Sequence, residues 1–137
     1  MQTTCEVKVA SLFPEVLKAL TDQPALRGIT ITETARVWEA DPEVLGSLFA
    51  SMEKVNMAKV PDKSVRGFNY SQLKVLFAKL SESKTLKHLN LNYNNLASVP
   101  PDLMSKVVEK LESLEMRVAN LTQDHALWIF RYCEPVF

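Results

Sequence analysis

Glycine is scarce in this chain. Its three glycines, Gly28, Gly46 and Gly67, stand too far apart to build a loop that cradles a phosphate. Histidine is scarcer still: His88 and His125 are the only two, with no H-E-x-x-H pair or other metal-ligand spacing. The two cysteines, Cys5 and Cys133, have no neighbouring histidine or second thiol to activate them. Neither charge dominates, since 16 basic residues balance 16 acidic ones, so the basic face that nucleic acid requires is missing. The longest apolar stretch, "ALWIF", is far below the length of a membrane span. The opening "MQTTCEVKV" lacks the charged and apolar regions of a secretory signal. These absences point away from an enzyme, a metal, a cofactor, nucleic acid and a membrane. They point toward a cytoplasmic protein that acts by contact.

What is present is periodic. In "LKHLNLNYNNL" the leucines fall at 86, 89, 91 and 96, with Asn94 shortly before the last. His88 to Asn92 alternates polar and apolar, so Leu89 and Leu91 share one face of a short strand and His88, Asn90 and Asn92 the other. Leu86 and Leu96 enter the same core from the flanks, and Asn94 suits a turn whose backbone needs a partner. A unit of this kind buries only one side and needs neighbours like itself.

The spacing recurs. "LESLEMRVANL" places Leu111, Leu114, Met116 and Leu121 at the same offsets; "MEKVNM" does so with Met52, Val55 and Met57, and "LRGITI" with Leu26, Ile29 and Ile31. The cores start at 26, 52, 86 and 111, and an insertion of eight residues at 61–68, "PDKSVRGF", accounts for the one long gap. Between strands, Val44, Leu45, Leu48, Phe49 and Met52 repeat as Leu103, Met104, Val107, Val108 and Leu111, shifted by 59. Phe13, Val16, Leu17 and Leu20 repeat as Leu73, Leu76, Phe77 and Leu80, shifted by 60. Each set traces one face of a helix. Asp41, Ser71 and Thr122 are expected as helix N-caps, and Pro14 and Pro101 in first helical turns. At the N-terminus the same offsets, moved back by 111, set Thr3 on Leu114, Cys5 on Met116 and Ser11 on Thr122.

The segment 86–96 matches L-x-x-L-x-L-x-x-N-x-L in full, and the chain resembles leucine-rich repeat proteins of the long-repeat, ribonuclease-inhibitor-like subtype. The resemblance covers nearly the whole chain, but Thr34 and Ala119 stand where that motif has asparagine, which breaks a continuous asparagine ladder. It implies an α/β fold: one domain, 1–137, forming a right-handed βα solenoid of four to five repeats. Its parallel sheet would lie on the concave side and its helices on the convex side. It also implies a non-enzymatic scaffold that binds a protein partner on the concave sheet or the adjacent loops. The candidate binding residues are Lys54, Asn56, His88, Asn90, Asn92, Tyr93, Glu115 and Arg117.

Two alternatives stand beside this reading. One is a self-assembling subunit, a homodimer or a piece of a longer array that stacks through its open ends, with Trp128, Ile129 and Phe130 as the apolar contact. The other, by fold analogy alone, is a regulator of a GTPase or a nuclease. The insertion brings Lys63, Arg66 and Phe68 into one loop, and Trp38 falls on the equivalent loop one unit earlier. The sequons at Asn69 and Asn120 read as turn-and-cap positions rather than glycosylation sites.

Overall fold

A computed structural model describes residues 5–10, 12–32, 40–58, 68–116 and 122–129. Strands and helices alternate: β1 (Cys5–Val9), α1 (Pro14–Thr21), β2 (Leu26–Ile31), α2 (Pro42–Ala50), β3 (Lys54–Asn56), α3 (Tyr70–Ser81), β4 (His88–Asn90), α4 (Pro101–Val108), β5 (Ser113–Glu115) and α5 (Gln123–Ile129). The strands form one parallel sheet in chain order, β1-β2-β3-β4-β5. Each helix packs on its sequence neighbour. The architecture is α/β, with every parallel connection between strands carrying a helix.

The register follows the spacing of the leucines. Ile29, Val55, Leu89 and Leu114 lie side by side across four strands, each at the fourth position of its repeat core. At the N-terminus the expected alignment is wrong by four residues. Val7, not Thr3, occupies the row of Leu114, and Val9 rather than Cys5 the row of Met116. Val9 is buried and Cys5 is exposed, so burial selects the later frame. The pairing of β1 with β2 has a separate one-residue irregularity between Cys5 and Glu6.

One apolar layer joins the strands to the helices. Leu26, Ile29, Val55, Leu89 and Leu91 enter it from the sheet; Leu45, Phe49, Leu76, Phe77, Leu80 and Met104 enter it from the helices. The helical stripes hold with two exceptions at their edges. Val44 is 42% exposed and Phe13 is 60% exposed, although both continue the apolar spacing. Val44 lies in the first turn of α2 and Phe13 at the N-cap of α1, where the helix face is turning out of the layer. Gly46 permits a close approach between α2 and α3: a Cβ there would lie 2.8 Å from Lys79 Cγ.

The helix starts show which caps the residues form. Asp41 accepts from the Glu43 N–H with Pro42 at the first helical position, as its sequence suggests. Pro14 and Pro101 open α1 and α4. Ser71 is not a cap. Asn69 takes that role two residues earlier, accepting from the Gln72 N–H at 2.8 Å while Gln72 Oε1 accepts from the Asn69 N–H at 3.1 Å. Thr122 does cap α5, its hydroxyl accepting from the His125 N–H at 3.3 Å.

Polar side chains then tie each unit to the one before it. Buried Asn94 donates to the Met57 carbonyl at 2.7 Å and to Leu91 O at 3.3 Å, satisfying the turn after β4 and the end of β3 together. Ser83 Oγ donates to Ala50 O at 2.6 Å, and Thr85 Oγ1 to Met52 O at 3.0 Å. Lys110 Nζ donates to Ser81 O at 2.6 Å and Ser83 O at 2.8 Å, at the C-terminal end of α3, where a cation offsets the helix dipole. Burial pushes this amine below the ordinary lysine value, against the opposing pull of Glu109 and Glu82.

Candidate functional site

Because side chains alternate along a strand, the face of the sheet turned from the helices carries its own rows. One row runs Glu6, Gly28, Lys54, His88, Ser113; the next runs Lys8, Thr30, Asn56, Asn90, Glu115. Apart from buried Gly28, these residues are exposed or half-buried. The structure thus brings Lys54, Asn56, His88, Asn90 and Glu115 onto one face, with Asn92 and Tyr93 just past β4. Arg117, Phe130, Trp38 and most of the insertion lie outside the described residues. Trp128 and Ile129 belong to α5, and Phe68, half-buried, packs against the core.

The two sides of this face differ in how their groups are held. On β4 and β5 they hold one another. Asn90 Nδ2 donates to Glu115 Oε2 at 3.0 Å, and Asn90 Oδ1 accepts from the Asn92 N–H at 3.0 Å. His88 Nδ1 lies 2.8 Å from Ser113 Oγ, and His88 Nε2 lies 3.9 Å from Glu112. Serine, imidazole and carboxylate therefore stand in sequence across two strands. At 3.9 Å the carboxylate is beyond hydrogen-bond range, so the chain of bonds that would activate a serine is open at Glu112.

On β1 to β3 the contacts among the described residues are sparser. Glu6 reaches across Gly28 to within 4.0 Å of Lys54 Nζ. Only glycine allows that path, because a Cβ at Gly28 would sit 2.6 Å from Glu6 Cγ. A glycine inside a strand was the available sign of this close approach. Asn56 Oδ1 accepts from the Ala58 N–H at 3.1 Å.

Tyr93 stands apart. Its φ is 65°, the one left-handed non-glycine backbone among the described residues. Bulky residues rarely adopt that region, at a cost of roughly 1–3 kcal/mol.

A separate groove of about 540 Å³ opens where α2 and α3 end, lined in part by Arg27, Ser51, Lys79, Lys84 and Thr85. Two of its cations are engaged, Arg27 with the Pro24 and Leu26 carbonyls and Lys79 with Glu43 at 3.3 Å. The helix ends beside it offer carbonyl oxygens, which disfavour an anion. Among the described residues no cluster of three or more metal-ligating side chains occurs, and no helix is long and apolar enough to cross a membrane.

No protein-family model matches this chain, nor does any curated protein or solved structure.

Proposed function

We propose that the chain is a leucine-rich repeat solenoid that binds a protein partner on the outward, concave face of its sheet, without catalysing a reaction. The observation that carries this reading is the pair of polar rows in register across five strands. Such a surface is broad, rigid and mixed in charge, and solenoids present surfaces of this kind to protein partners. Tyr93 supports it. A tyrosine kept in a conformation that favours glycine or asparagine is explained if its ring serves as an interface anchor beside the rows.

Two variants test the reading on a partner captured from a lysate of the source cells. Lys54→Glu with Asn56→Asp alters the loosely held side of the face, and Asn56→Asp keeps the acceptor used by Ala58. Partner affinity is expected to fall at least tenfold with circular dichroism unchanged; full affinity would move binding off the sheet. Tyr93→Gly is expected to raise stability by about 1 kcal/mol while weakening the partner, because it releases strain and removes an anchor. If Tyr93→Gly raises stability and leaves binding intact, the tyrosine has no part in recognition.

A further inference from the structure

The two outer strands of this sheet are built to continue one another. Backbone bonds in a parallel ladder alternate, and here the alternation is explicit. The His88 N–H and the Asn90 carbonyl face β3, whereas the Lys87 carbonyl and the Leu91 N–H face β5. Leu114 shares the row of Leu89, so its N–H and C=O face outward from β5. Lys8 shares the row of Asn90, while the Val9 carbonyl is used by the Thr32 N–H on β2; the Lys8 N–H and C=O therefore face outward from β1. Among the described residues no strand pairs with either outer edge.

We propose that copies of this chain assemble head to tail, with β1 of one copy adding in parallel to β5 of the next. The register of the sheet, extended by one step, places Val7 of the incoming copy beside Leu114 and Val9 beside Met116. Val7 and Leu114 are half-buried, whereas Ile29, Val55 and Leu89 of the same row inside the sheet are 1%, 1% and 2% exposed; Met116 is half-buried, whereas Ile31, Met57 and Leu91 of its row are buried. One more strand completes that burial. On the outward face the same step sets Lys8 against Glu115 and Glu6 against the Ser113 hydroxyl. An opposite charge and a donor–acceptor pair thus meet at the junction, and all four of these side chains are exposed. A one-residue slip would lose both the charge match and the apolar match. A contact of this type is heterologous, so it gives open chains or rings rather than a twofold dimer. It pairs the outer backbone edges of the sheet and draws in outward-face residues only at the two end strands, and its test needs no other partner.

The test is sedimentation velocity over roughly 5 to 500 µM, a range in which mass action reveals weak self-association. The wild-type chain is expected to grow past dimer with concentration. Lys8→Glu alone and Glu115→Lys alone place like charges at the junction, and each is expected to weaken association about fivefold to tenfold. Mixed in equal amounts, the two variants restore complementary charges at every junction and regain the wild-type mass. Lys8→Pro removes the outward N–H while sparing the bonds to β2, and is expected to block association with circular dichroism unchanged. A wild-type monomer throughout the range would overturn the proposal. So would single variants that associate as the wild type does, or a mixture that regains nothing.

Discussion

The middle of the molecule and its ends use the same spacing and bury it to different depths. On α3, Leu73 and Leu80 are 1% and 0% exposed; 60 residues earlier, Phe13 at the N-cap of α1 is 60% exposed and Leu20 half-buried. In the sheet, Leu89 is 2% exposed and Leu114, one strand further out, is half-buried. Periodicity decides which way a side chain points. A neighbour on each side decides whether water is excluded from it, and among the described residues only the inner strands have two. Polar side chains add to the contrast, since Asn94, Ser83 and Gln72 all bond backbone from the preceding unit inside the molecule.

The ends are not simply looser copies of the middle. Gln72 and His125 do the same work at the starts of α3 and α5. Gln72 returns a bond to its N-cap and sends Nε2 to the Ala40 carbonyl at 3.1 Å. His125 accepts from the Thr122 N–H at 3.1 Å and donates from Nε2 to the Val99 carbonyl, and it is 1% exposed. Ala40 and Val99 are themselves 59 residues apart, the shift that relates α2 to α4. The repeated feature here is a bonding geometry that an amide and an imidazole both satisfy.

The contrast is broken most directly by truncating matched leucines. Leu80→Ala is expected to cost about 3 kcal/mol, and Leu20→Ala, its counterpart 60 residues earlier, about 1 kcal/mol. Urea midpoints at constant slope read the difference, and equal losses would show the ends to be packed as tightly as the middle. Asn94→Ala comes next, at about 2 kcal/mol, because it leaves the Met57 carbonyl buried without a donor. The equivalence of Gln72 and His125 is sharpened by two substitutions. His125→Ala is expected to cost about 2 kcal/mol and to speed hydrogen exchange in α5, whereas His125→Gln costs under about 1 kcal/mol. Equal effects from the two would reduce His125 to a space-filler. The smallest effect is expected of Gly28→Ala. The exposed Glu6 side chain swings aside, and the urea midpoint reports a change in stability of no more than about 0.5 kcal/mol.

Much of the framework was legible in the residues. The offsets of Leu86, Leu89, Leu91 and Leu96 placed β4, its register and the turn that Asn94 holds, because a period of two and a fixed motif leave little freedom. Asp41, Thr122, Pro14 and Pro101 marked helix starts by local chemistry alone. Ser71 misled because Asn69, Tyr70 and Ser71 include two good caps, and the choice between them depends on Gln72 being held at Ala40. The frame of β1 was misplaced because Thr3 to Val9 offers only a weak alternation, which burial of Val9 resolves. Of the candidate binding residues, the rows were readable once the strands were placed. Which groups within them bond one another, such as His88 with Ser113 at 2.8 Å, depends on side-chain conformation, which the spacing does not report.

The sequence by itself determined the alternation of strand and helix, the inward side of each and the repeat that sets the strands in parallel order, since these follow from side-chain direction and nearest-neighbour geometry. Only the tertiary structure decided how deeply each repeat is buried, which polar groups hold one another across the sheet and which backbone edges are turned outward. Those depend on what lies across a gap of 25 to 37 residues, and distance along the chain carries no force until the fold closes it.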